Sequence, residues 1–336
     1  MSLAAVVGAG SWGTALAGLL AANGHSVRLW ARDPALADAM RTARRNPRYL
    51  TEIPLPEAVE PTSDLAGAVA GALLVVSVVP SHAVRETMAA AASHLAPEAV
   101  VVSASKGIEN ETLKRMTEVL ADALPGIGTG RLAVLSGPSF AEEVARGMPT
   151  AVTVASAEEV TAERVREAFA APRFRVYTST DVIGVELGGA VKNVIAIATG
   201  IADGLGSGTS ARAALITRGL AEISRLGMAM GGEQFTFMGL AGLGDLVLTC
   251  TGDLSRNRTV GLRLGRGETL EEILADLRMV AEGIRTTRSA RELARRAGVE
   301  MPITEQVHGM LYDSKSAQVV VEELMTREYK PEFERR

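Results

Sequence analysis

The sequence is poor in the residues that form disulfides and bind metals. It contains one cysteine, Cys250, and four histidines (His25, His82, His94 and His308) among 336 residues. A single cysteine excludes an internal disulfide and is typical of a protein from a reducing cytoplasm. The histidines lie too far apart in sequence to form a metal-ligand spacing. We therefore expect no bound metal.

An excess of positive charge is also missing. The formal net charge is −4, which argues against nonspecific nucleic-acid binding because such binding needs an excess of Lys and Arg. Residues 2–22 are apolar enough to resemble a signal peptide, but no Lys or Arg precedes Arg28, so the basic segment of such peptides is absent. No uncharged apolar run reaches the ~18 residues that cross a bilayer. The sequence predicts a cytoplasmic protein without a membrane span.

The two halves of the chain differ in pattern, and the length favours two domains. In the first half, short apolar runs alternate with Ala-rich segments, which is typical of a doubly wound, mostly parallel sheet covered by helices on both faces. After about residue 182, long segments rich in Ala, Leu, Gly and Arg predict helices. We therefore predict an α/β domain over 1–182 and an all-α domain over 183–336. The strand candidates are 3–7, 27–30, 73–78, 100–103, 132–135 and 151–154, with 175–177 as a further candidate.

A glycine-rich turn follows the first predicted strand and precedes a helix predicted over 14–22. Gly8, Gly10 and Gly13 form the pattern G-x-G-x-x-G. In this context the first glycine makes a tight turn, the second lets the backbone approach a pyrophosphate, and the third lets the helix pack against the strand. The helix N-terminus offers N–H groups to the phosphates. We interpret the turn as a dinucleotide site in a Rossmann-type domain, with a purely structural turn as the alternative.

The end of the second predicted strand bears on the choice of cofactor. NAD sites usually place Asp or Glu there to bind the ribose hydroxyls. Here Ala31 and Arg32 come first, and the acid is delayed to Asp33. A small residue followed by arginine suits a 2′-phosphate, so we expect NADP(H), and NAD(H) stays open as a second cofactor. An exposed arginine without a role is the alternative.

Three further loops follow predicted strands, at residues 79–82, 103–107 and 136–143. In an open α/β sheet, ligands bind outside the carboxyl ends of the strands. Lys106 can supply a cation to a carbonyl or phosphate, and Gly137 and Ser139 can supply backbone and hydroxyl donors. His82 is as readily an ordinary loop histidine as a catalytic one.

Lys192 interrupts an apolar run over 184–202, where a lysine is costly unless it has a partner. Desolvation lowers the pKa of a lysine, so such an amine can exchange a proton near neutral pH. Asp245 lies in an apolar, glycine-rich segment and is the candidate partner. A lysine that reaches the surface from a core helix is the alternative. Cys250 is better read as a small buried residue than as a nucleophile.

Two polar clusters complete the second half. Residues 255–258, Ser-Arg-Asn-Arg, supply a hydroxyl, two guanidiniums and an amide, a set that suits a phosphorylated substrate because arginine binds phosphate with two hydrogen bonds. A solvated charged loop is the alternative. Residues 280–283 can form a polar loop near the cofactor.

Together these segments resemble the bacterial type of NAD(P)-dependent glycerol-3-phosphate dehydrogenase. The resemblance runs from Gly8 to about Pro302 and is most specific over 8–17, 136–141, 186–193 and 255–258. It implies a Rossmann domain followed by a helical domain, and a homodimer. It also implies reversible reduction of dihydroxyacetone phosphate to sn-glycerol 3-phosphate for phospholipid synthesis.

The resemblance further assigns roles to individual residues. Lys192 becomes the proton donor and acceptor at the C2 oxygen, and Lys106 contacts both substrate and cofactor. The other implied substrate-binding residues are Gly137, Ser139, Asp245, Thr249, Ser255, Arg256 and Asn257. The implied cofactor-binding residues are Ser11, Trp12, Arg32, Ala141, Arg256, Val280 and Glu282, beside the three glycines of the turn.

Two other functions compete with this interpretation. A reductase of the 2-dehydropantoate type also combines a Rossmann domain with a helical-domain lysine, but its non-phosphorylated substrate has little need of the 255–258 cluster. A nucleotide-sensing protein without catalysis is the second alternative, and the presence of both Lys192 and Asp245 argues against it.

Overall fold

The computed structural model describes residues 2–276, 281–329 and 331–332. The strands are β1 (Leu3–Val7), β2 (Ser26–Trp30), β3 (Arg45–Asn46), β4 (Leu50–Pro54), β5 (Val59–Thr62), β6 (Leu74–Ser77), β7 (Val100–Ser103), β8 (Leu132–Ser136), β9 (Thr150–Ala155) and β10 (Phe174–Ser179). The helices before residue 182 are α1 (Ser11–Ala22), α2 (Pro34–Ala43), α3 (Leu65–Val69), α4 (Val84–Ala91), α5 (Met116–Ala123), α6 (Ala141–Ala145) and α7 (Glu159–Phe169). The later helices are α8 (Val182–Gly204), α9 (Gly208–Ala229), α10 (Gln234–Met238), α11 (Asp245–Thr251), α12 (Arg256–Gly265), α13 (Leu270–Asp276), α14 (Glu282–Ala297), α15 (Pro302–Tyr312) and α16 (Ala317–Met325).

Eight strands form one sheet in the order β10-β9-β8-β7-β6-β1-β2-β5, and β3 and β4 form a separate hairpin. Neighbouring strands in the large sheet are parallel except β8 and β9. The mostly parallel Rossmann-type sheet and the helical second half are therefore confirmed. All seven strand candidates are present, with ends that differ by at most two residues.

The sequence pattern missed three strands, β3, β4 and β5. Strand β5 has the sequence Val-Glu-Pro-Thr and lies at the edge of the large sheet. Proline cannot donate to a neighbouring strand and is confined to edge positions. The edge strand therefore lacks the continuous apolar run by which the central strands were predicted.

Both faces of the sheet are buried because alternate residues of each strand point to opposite sides. Val6, Val76 and Val102 belong to one apolar cluster. Val7, Val75 and Val101 belong to another. Since β1, β6, β7 and β8 are parallel, their carboxyl ends lie along one edge, and the loops that begin at Gly8, Val78, Ala104 and Gly137 emerge together.

Helix α8 is the core of the second half. It begins after Asp181, whose side chain accepts a hydrogen bond from the Gly184 amide (2.8 Å) and so caps the helix. The helix is long and apolar enough to cross a membrane, but 89% of its most apolar window is buried inside the protein. Its apolar character therefore reflects packing in a protein core.

Helices α8 and α12 approach so closely that glycine is required where they cross. A methyl group on Gly200 would overlap the carbonyl oxygen of Arg258, and one on Gly261 would overlap that of Ile197. The crossing places the N-terminus of α12, which follows Ser255, against the helix that carries Lys192. The glycines at this crossing thus bring the polar segment that begins at Ser255 close to the helix that carries Lys192.

Replacing Gly261 with alanine should destabilise the protein by roughly 1–3 kcal/mol, because overpacking forces the two helices apart. Thermal and urea denaturation would measure the loss. Gly18→Ala is the matched control: Gly18 lies in α1 with open space at its Cβ position, so alanine should preserve or raise stability by up to about 1 kcal/mol. A Gly261→Ala protein as stable as the wild type would contradict the close crossing.

Candidate active site

Lys192 lies inside the protein with two hydrogen-bond partners from α11. The residue is 5% exposed and Asp245 is 2% exposed. The ammonium donates to a carboxylate oxygen of Asp245 and to the hydroxyl of Thr249 (2.6 Å). That hydroxyl in turn donates to the main-chain oxygen of Asp245 (2.6 Å). The alternative of a lysine reaching the surface is therefore wrong.

A second lysine, from the sheet edge, meets the same carboxylate. Lys106 follows β7, and its ammonium donates to the other oxygen of Asp245 (2.5 Å) and to the carbonyl of Gly137 (3.4 Å). The Lys106 side chain is 20% exposed. One carboxylate thus links a lysine of the sheet domain to a lysine of the helical domain.

The environment of Lys192 makes its ammonium a stronger acid. Burial lowers its pKa from the usual 10.5 to about 8, because desolvation disfavours the charged form. The charge of Asp245 acts in the opposite direction, and that of Lys106 lowers the pKa further. Lys192 is therefore able to change protonation state near neutral pH.

Burial raises the pKa of the Cys250 thiol to about 12, which fits a buried apolar role.

The loop after β8 contacts both the Lys106 ammonium and the neighbouring strand β9. Gly137 has a φ of +144°, a conformation that favours glycine, and a Cβ there would lie 2.8 Å from the Cα of Val152. The Ser139 hydroxyl donates to the Gly137 carbonyl (3.0 Å). Ala141 begins α6 just beyond. Gly137 and Ser139 are therefore brought to the Lys106 side of the cluster, as their strand-end position predicted.

The glycine-rich turn has the geometry that a dinucleotide needs. Gly8 has a φ of +126°, and a Cβ on it would lie 2.9 Å from the Val78 carbonyl. A methyl group on Gly13 would overlap the Gly8 carbonyl oxygen, whereas Gly10 has open space. Helix α1 begins at Ser11 and Trp12 without a side-chain cap. A helix N-terminus in this position offers N–H groups and a partial positive charge to the pyrophosphate of an NAD(P) molecule.

At the end of β2 the two candidate residues have different surroundings. Asp33 caps α2 by accepting from the Ala35 amide (3.0 Å) and pairs with Arg48 (2.9 Å). Arg32 is exposed. The aspartate is therefore engaged in local structure, while the arginine is accessible to a ligand.

The 255–258 cluster is divided by the fold. The Ser255 hydroxyl caps α12 by accepting from the Arg258 amide (3.3 Å). Arg258 itself pairs with Asp203 (2.8 Å) and Asp253 (3.1 Å). Arg256 is exposed. Of the two guanidiniums that suit a phosphate, Arg258 thus has a structural role, and Arg256 stays a candidate ligand on the sequence pattern.

Asn257 extends the polar cluster toward α14. Its side-chain amide donates to the Asn193 side chain (2.9 Å), and its oxygen accepts from the Gly283 amide (2.9 Å). Asn193 directly follows Lys192 and was missed as a site residue. The sequence signal that could have identified Asn193 is its polar side chain beside Lys192 in an otherwise apolar run.

Glu282 also connects the two halves of the molecule. Its carboxylate accepts from the hydroxyl (2.6 Å) and the amide (3.2 Å) of Ser81 in the loop after β6. The sequence predicts that this loop lies at the ligand-binding edge of the sheet, but it gives no signal for Ser81 itself. His82, next to it, is exposed, which favours the ordinary loop histidine. Val280 lies outside the described residues.

Family models match both halves of the chain. The N-terminal model of NAD-dependent glycerol-3-phosphate dehydrogenase matches residues 4–162, and the C-terminal model of the same enzyme matches residues 181–322. A glycerol-3-phosphate dehydrogenase [NAD(P)+] from Geobacter sp. (strain M21) is 60% identical over 98% of both chains. The chain belongs to the NAD-dependent glycerol-3-phosphate dehydrogenase family. It is therefore an oxidoreductase that uses NAD(P) and acts on glycerol 3-phosphate.

A second relative and a solved structure with the same enzyme name are also similar to this chain. The glycerol-3-phosphate dehydrogenase [NAD(P)+] of Myxococcus xanthus is 55% identical over 98% of both chains. The crystal structure of glycerol-3-phosphate dehydrogenase from Coxiella burnetii has a TM-score of 0.93 and 44% identity, covering 97% of this chain and 99% of that one.

The 2-dehydropantoate reductase alternative is not favoured. A ketopantoate reductase from Ralstonia eutropha has a TM-score of 0.61 at 18% identity, covering 96% of this chain and 99% of that one. A likeness at that identity shows a shared fold only.

Among the residues that the structure describes, no group of three or more His, Cys, Asp or Glu side chains could hold a metal ion.

Gly10→Ala should separate cofactor binding from folding. Gly10 has an extended backbone that alanine adopts and open space at its Cβ position, so thermal stability without cofactor should not change. The added methyl group should weaken NADPH binding by about tenfold or more, because the pyrophosphate needs a close approach to this backbone. Fluorescence titration with NADPH would measure the affinity. Gly18→Ala, in the helix that follows Gly10, should bind normally. Equal affinity of both variants would count against the pyrophosphate site.

Proposed function

We propose that this enzyme reversibly reduces dihydroxyacetone phosphate to sn-glycerol 3-phosphate with NAD(P)H, and that Lys192 is its general acid. The observation that carries the proposal is the buried ammonium of Lys192, bonded to Asp245 and Thr249 and having a pKa of about 8. The product would supply the backbone for glycerophospholipid synthesis.

Lys192 would transfer a proton at the C2 oxygen of the substrate. When bound, the nicotinamide supplies hydride to C2, or accepts it in the reverse direction. As negative charge develops on the oxygen, the ammonium stabilises that charge and then gives up a proton, a contribution of roughly 10²–10⁴-fold for general acid catalysis. Asp245 and Thr249 hold the ammonium in one position, so little reorganisation is needed at that moment.

The substrate would lie between the lysine cluster and α12. Lys106 and Ser139 supply donors from the sheet domain. Arg256 supplies a guanidinium suited to the substrate phosphate. We assign the substrate site to Lys106, Gly137, Ser139, Lys192, Asp245, Thr249, Ser255, Arg256 and Asn257.

The cofactor would lie across the glycine-rich turn and extend toward the N-terminus of α14. We assign its site to Gly8, Gly10, Ser11, Trp12, Gly13, Arg32, Lys106, Ala141, Arg256, Val280 and Glu282, the Val280 assignment resting on the resemblance alone. The accessible Arg32 beside an engaged Asp33 favours NADP(H) through a 2′-phosphate contact. NAD(H) then serves as the weaker cofactor.

Three broader proposals accompany the activity. We place the domain boundary between residues 182 and 183, at the beginning of α8. A cytoplasmic location is supported by the single, buried Cys250. A homodimer is supported by the exposed apolar side chains Phe235, Met238, Val247 and Leu254, which lie within 20 residues of sequence.

Lys192→Met should reduce kcat by roughly 10²–10⁴-fold, because methionine keeps the length of the side chain but has no proton to transfer. NADPH oxidation would be followed with dihydroxyacetone phosphate, with ketopantoate and without substrate, and NADPH affinity would be titrated separately. Lys114→Met is the matched control, since Lys114 is a surface lysine paired with Asp122, and it should be fully active. Near-normal turnover by Lys192→Met would refute the assignment, and oxidation with ketopantoate alone would refute the substrate.

The kcat values of ketone reduction and of alcohol oxidation should change with pH in opposite directions. Ketone reduction needs protonated Lys192, so kcat should fall as pH rises through about 8. Alcohol oxidation needs the neutral amine, so kcat should rise over the same range. Steady-state profiles from pH 6 to 10 in both directions would show the two limbs. Profiles with the same sign, or flat through pH 8, would be inconsistent with Lys192 as the titrating group.

A further inference from the structure

Helix α8 carries a second buried charge, Glu186, six residues before Lys192. Glu186 is 7% exposed, and a carboxylate in such a position needs compensating donors. Among the described residues, its hydrogen bonds run to Arg115 and Thr117 and not to the Lys192–Asp245–Lys106 cluster. Its role must therefore be sought in its own contacts.

Within the described part of the chain, the side chain of Glu186 bonds to residues of the sheet domain. Its carboxylate accepts from the amide (2.7 Å) and the hydroxyl (2.7 Å) of Thr117 and from the guanidinium of Arg115 (2.5 Å). Arg115 and Thr117 lie at the N-terminus of α5, where free N–H groups and the helix dipole favour a negative charge. Glu186 thus attaches α8 to a fixed point of the other domain.

The same point ends the segment that carries Lys106. Residues 104–115 connect β7 to α5, with Lys106 near one end and Arg115 at the other. The segment is closed by a hydrogen bond from the Glu109 amide to the Lys114 carbonyl (3.0 Å). It is also braced by the ion pair of Glu109 with Arg85 (2.8 Å). Through Glu186, helix α8 and the segment that carries Lys106 are therefore both attached to the N-terminus of α5.

The packing around Glu186 leaves α8 little room to move. A Cβ on Gly188 would lie 2.8 Å from the Ala241 carbonyl oxygen, and one on Gly189 would lie 2.5 Å from the Ser136 hydroxyl. The helix is thus in close contact on two sides, next to the three hydrogen bonds of Glu186. A shift of α8 along or around its axis would break several of these contacts together.

We propose that Glu186 is a positioning residue for proton and hydride transfer: its bonds to Arg115 and Thr117 fix Lys192 relative to the cofactor domain. The inference rests on the role proposed for Lys192. Misplacement of a catalytic group by about 1 Å can cost on the order of 10²-fold in rate. A weakened anchor should therefore slow the chemical step while the residues that bind substrate and cofactor remain in place.

Glu186→Gln tests this directly, because an amide NH₂ then faces donors and the ion pair with Arg115 is lost. We expect kcat to fall by roughly 10- to 100-fold, with KM for dihydroxyacetone phosphate and affinity for NADPH near their wild-type values. The isotope effect on kcat with NADPH deuterated at its transferred hydrogen should rise above that of the wild type, because hydride transfer becomes rate-limiting. Thr117→Ser keeps both donors and should retain wild-type kinetics.

Glu222→Gln is the matched control for a purely structural effect. Glu222 is 1% exposed and accepts from the Ile303 amide (2.6 Å), the Thr304 amide (3.2 Å) and the Thr304 hydroxyl (3.1 Å). It thus meets the N-terminus of α15 in the same way, but within the helical domain. We expect this variant to lose stability and to keep the wild-type kcat and isotope effect.

The outcomes are distinct. If Glu186→Gln is less stable but has the kcat and isotope effect of the wild type, the positioning role is wrong. If that variant does not fold, Thr117→Val decides, since it removes one hydrogen bond and should give a smaller fall in kcat with a raised isotope effect; unchanged kinetics overturn the proposal. Activity in Lys192→Met would remove the proposed catalytic role itself. If Lys192→Met is inactive and Glu186→Gln has wild-type kinetics, the positioning role of Glu186 is wrong and the catalytic role of Lys192 stands.

Discussion

The carboxylate of Asp245 is the interaction on which the site depends. Each of its oxygens accepts from a different lysine, Lys192 of the helical domain and Lys106 of the sheet domain. Without this carboxylate, two ammonium groups would face each other in a poorly solvated space, which is strongly unfavourable. With it, Lys192 stays buried at a lowered pKa and is held in one orientation. The contact with Asp245 thus makes burial of the ammonium tolerable, and the burial itself lowers its pKa.

Glycine lets the surrounding segments come close enough to build this site. The turn at Gly8 and Gly13 brings α1 against β1, and the Gly200 and Gly261 crossing brings α12 against α8. In each case a side chain would meet backbone atoms, which cannot move away cheaply. The backbone thereby presents N–H groups and polar side chains at short range, where a phosphorylated substrate and a dinucleotide need them.

Two carboxylates beyond Asp245 also connect the domains. Glu282 accepts from Ser81 in the loop after β6, and Glu186 accepts from Thr117 of α5. Both meet backbone N–H groups as well as hydroxyls, so each joins a helix of the second half to a loop or helix end of the first. In the proposed mechanism the cofactor and the proton donor belong to different domains, so such contacts would fix the distance between them.

The sequence alone determined the features that depend on near neighbours. These were the central strands, the glycine-rich turn, the family, and the anomaly of Lys192 in an apolar helix. Only the tertiary structure decided which distant groups meet: Asp245 lies 53 residues from Lys192 in the chain and 139 from Lys106. It also assigned Arg258 to Asp203 and Asp33 to Arg48, and it joined Glu186 to α5. Such pairings leave no local pattern, because they arise from how helices and strands pack rather than from the residues beside them.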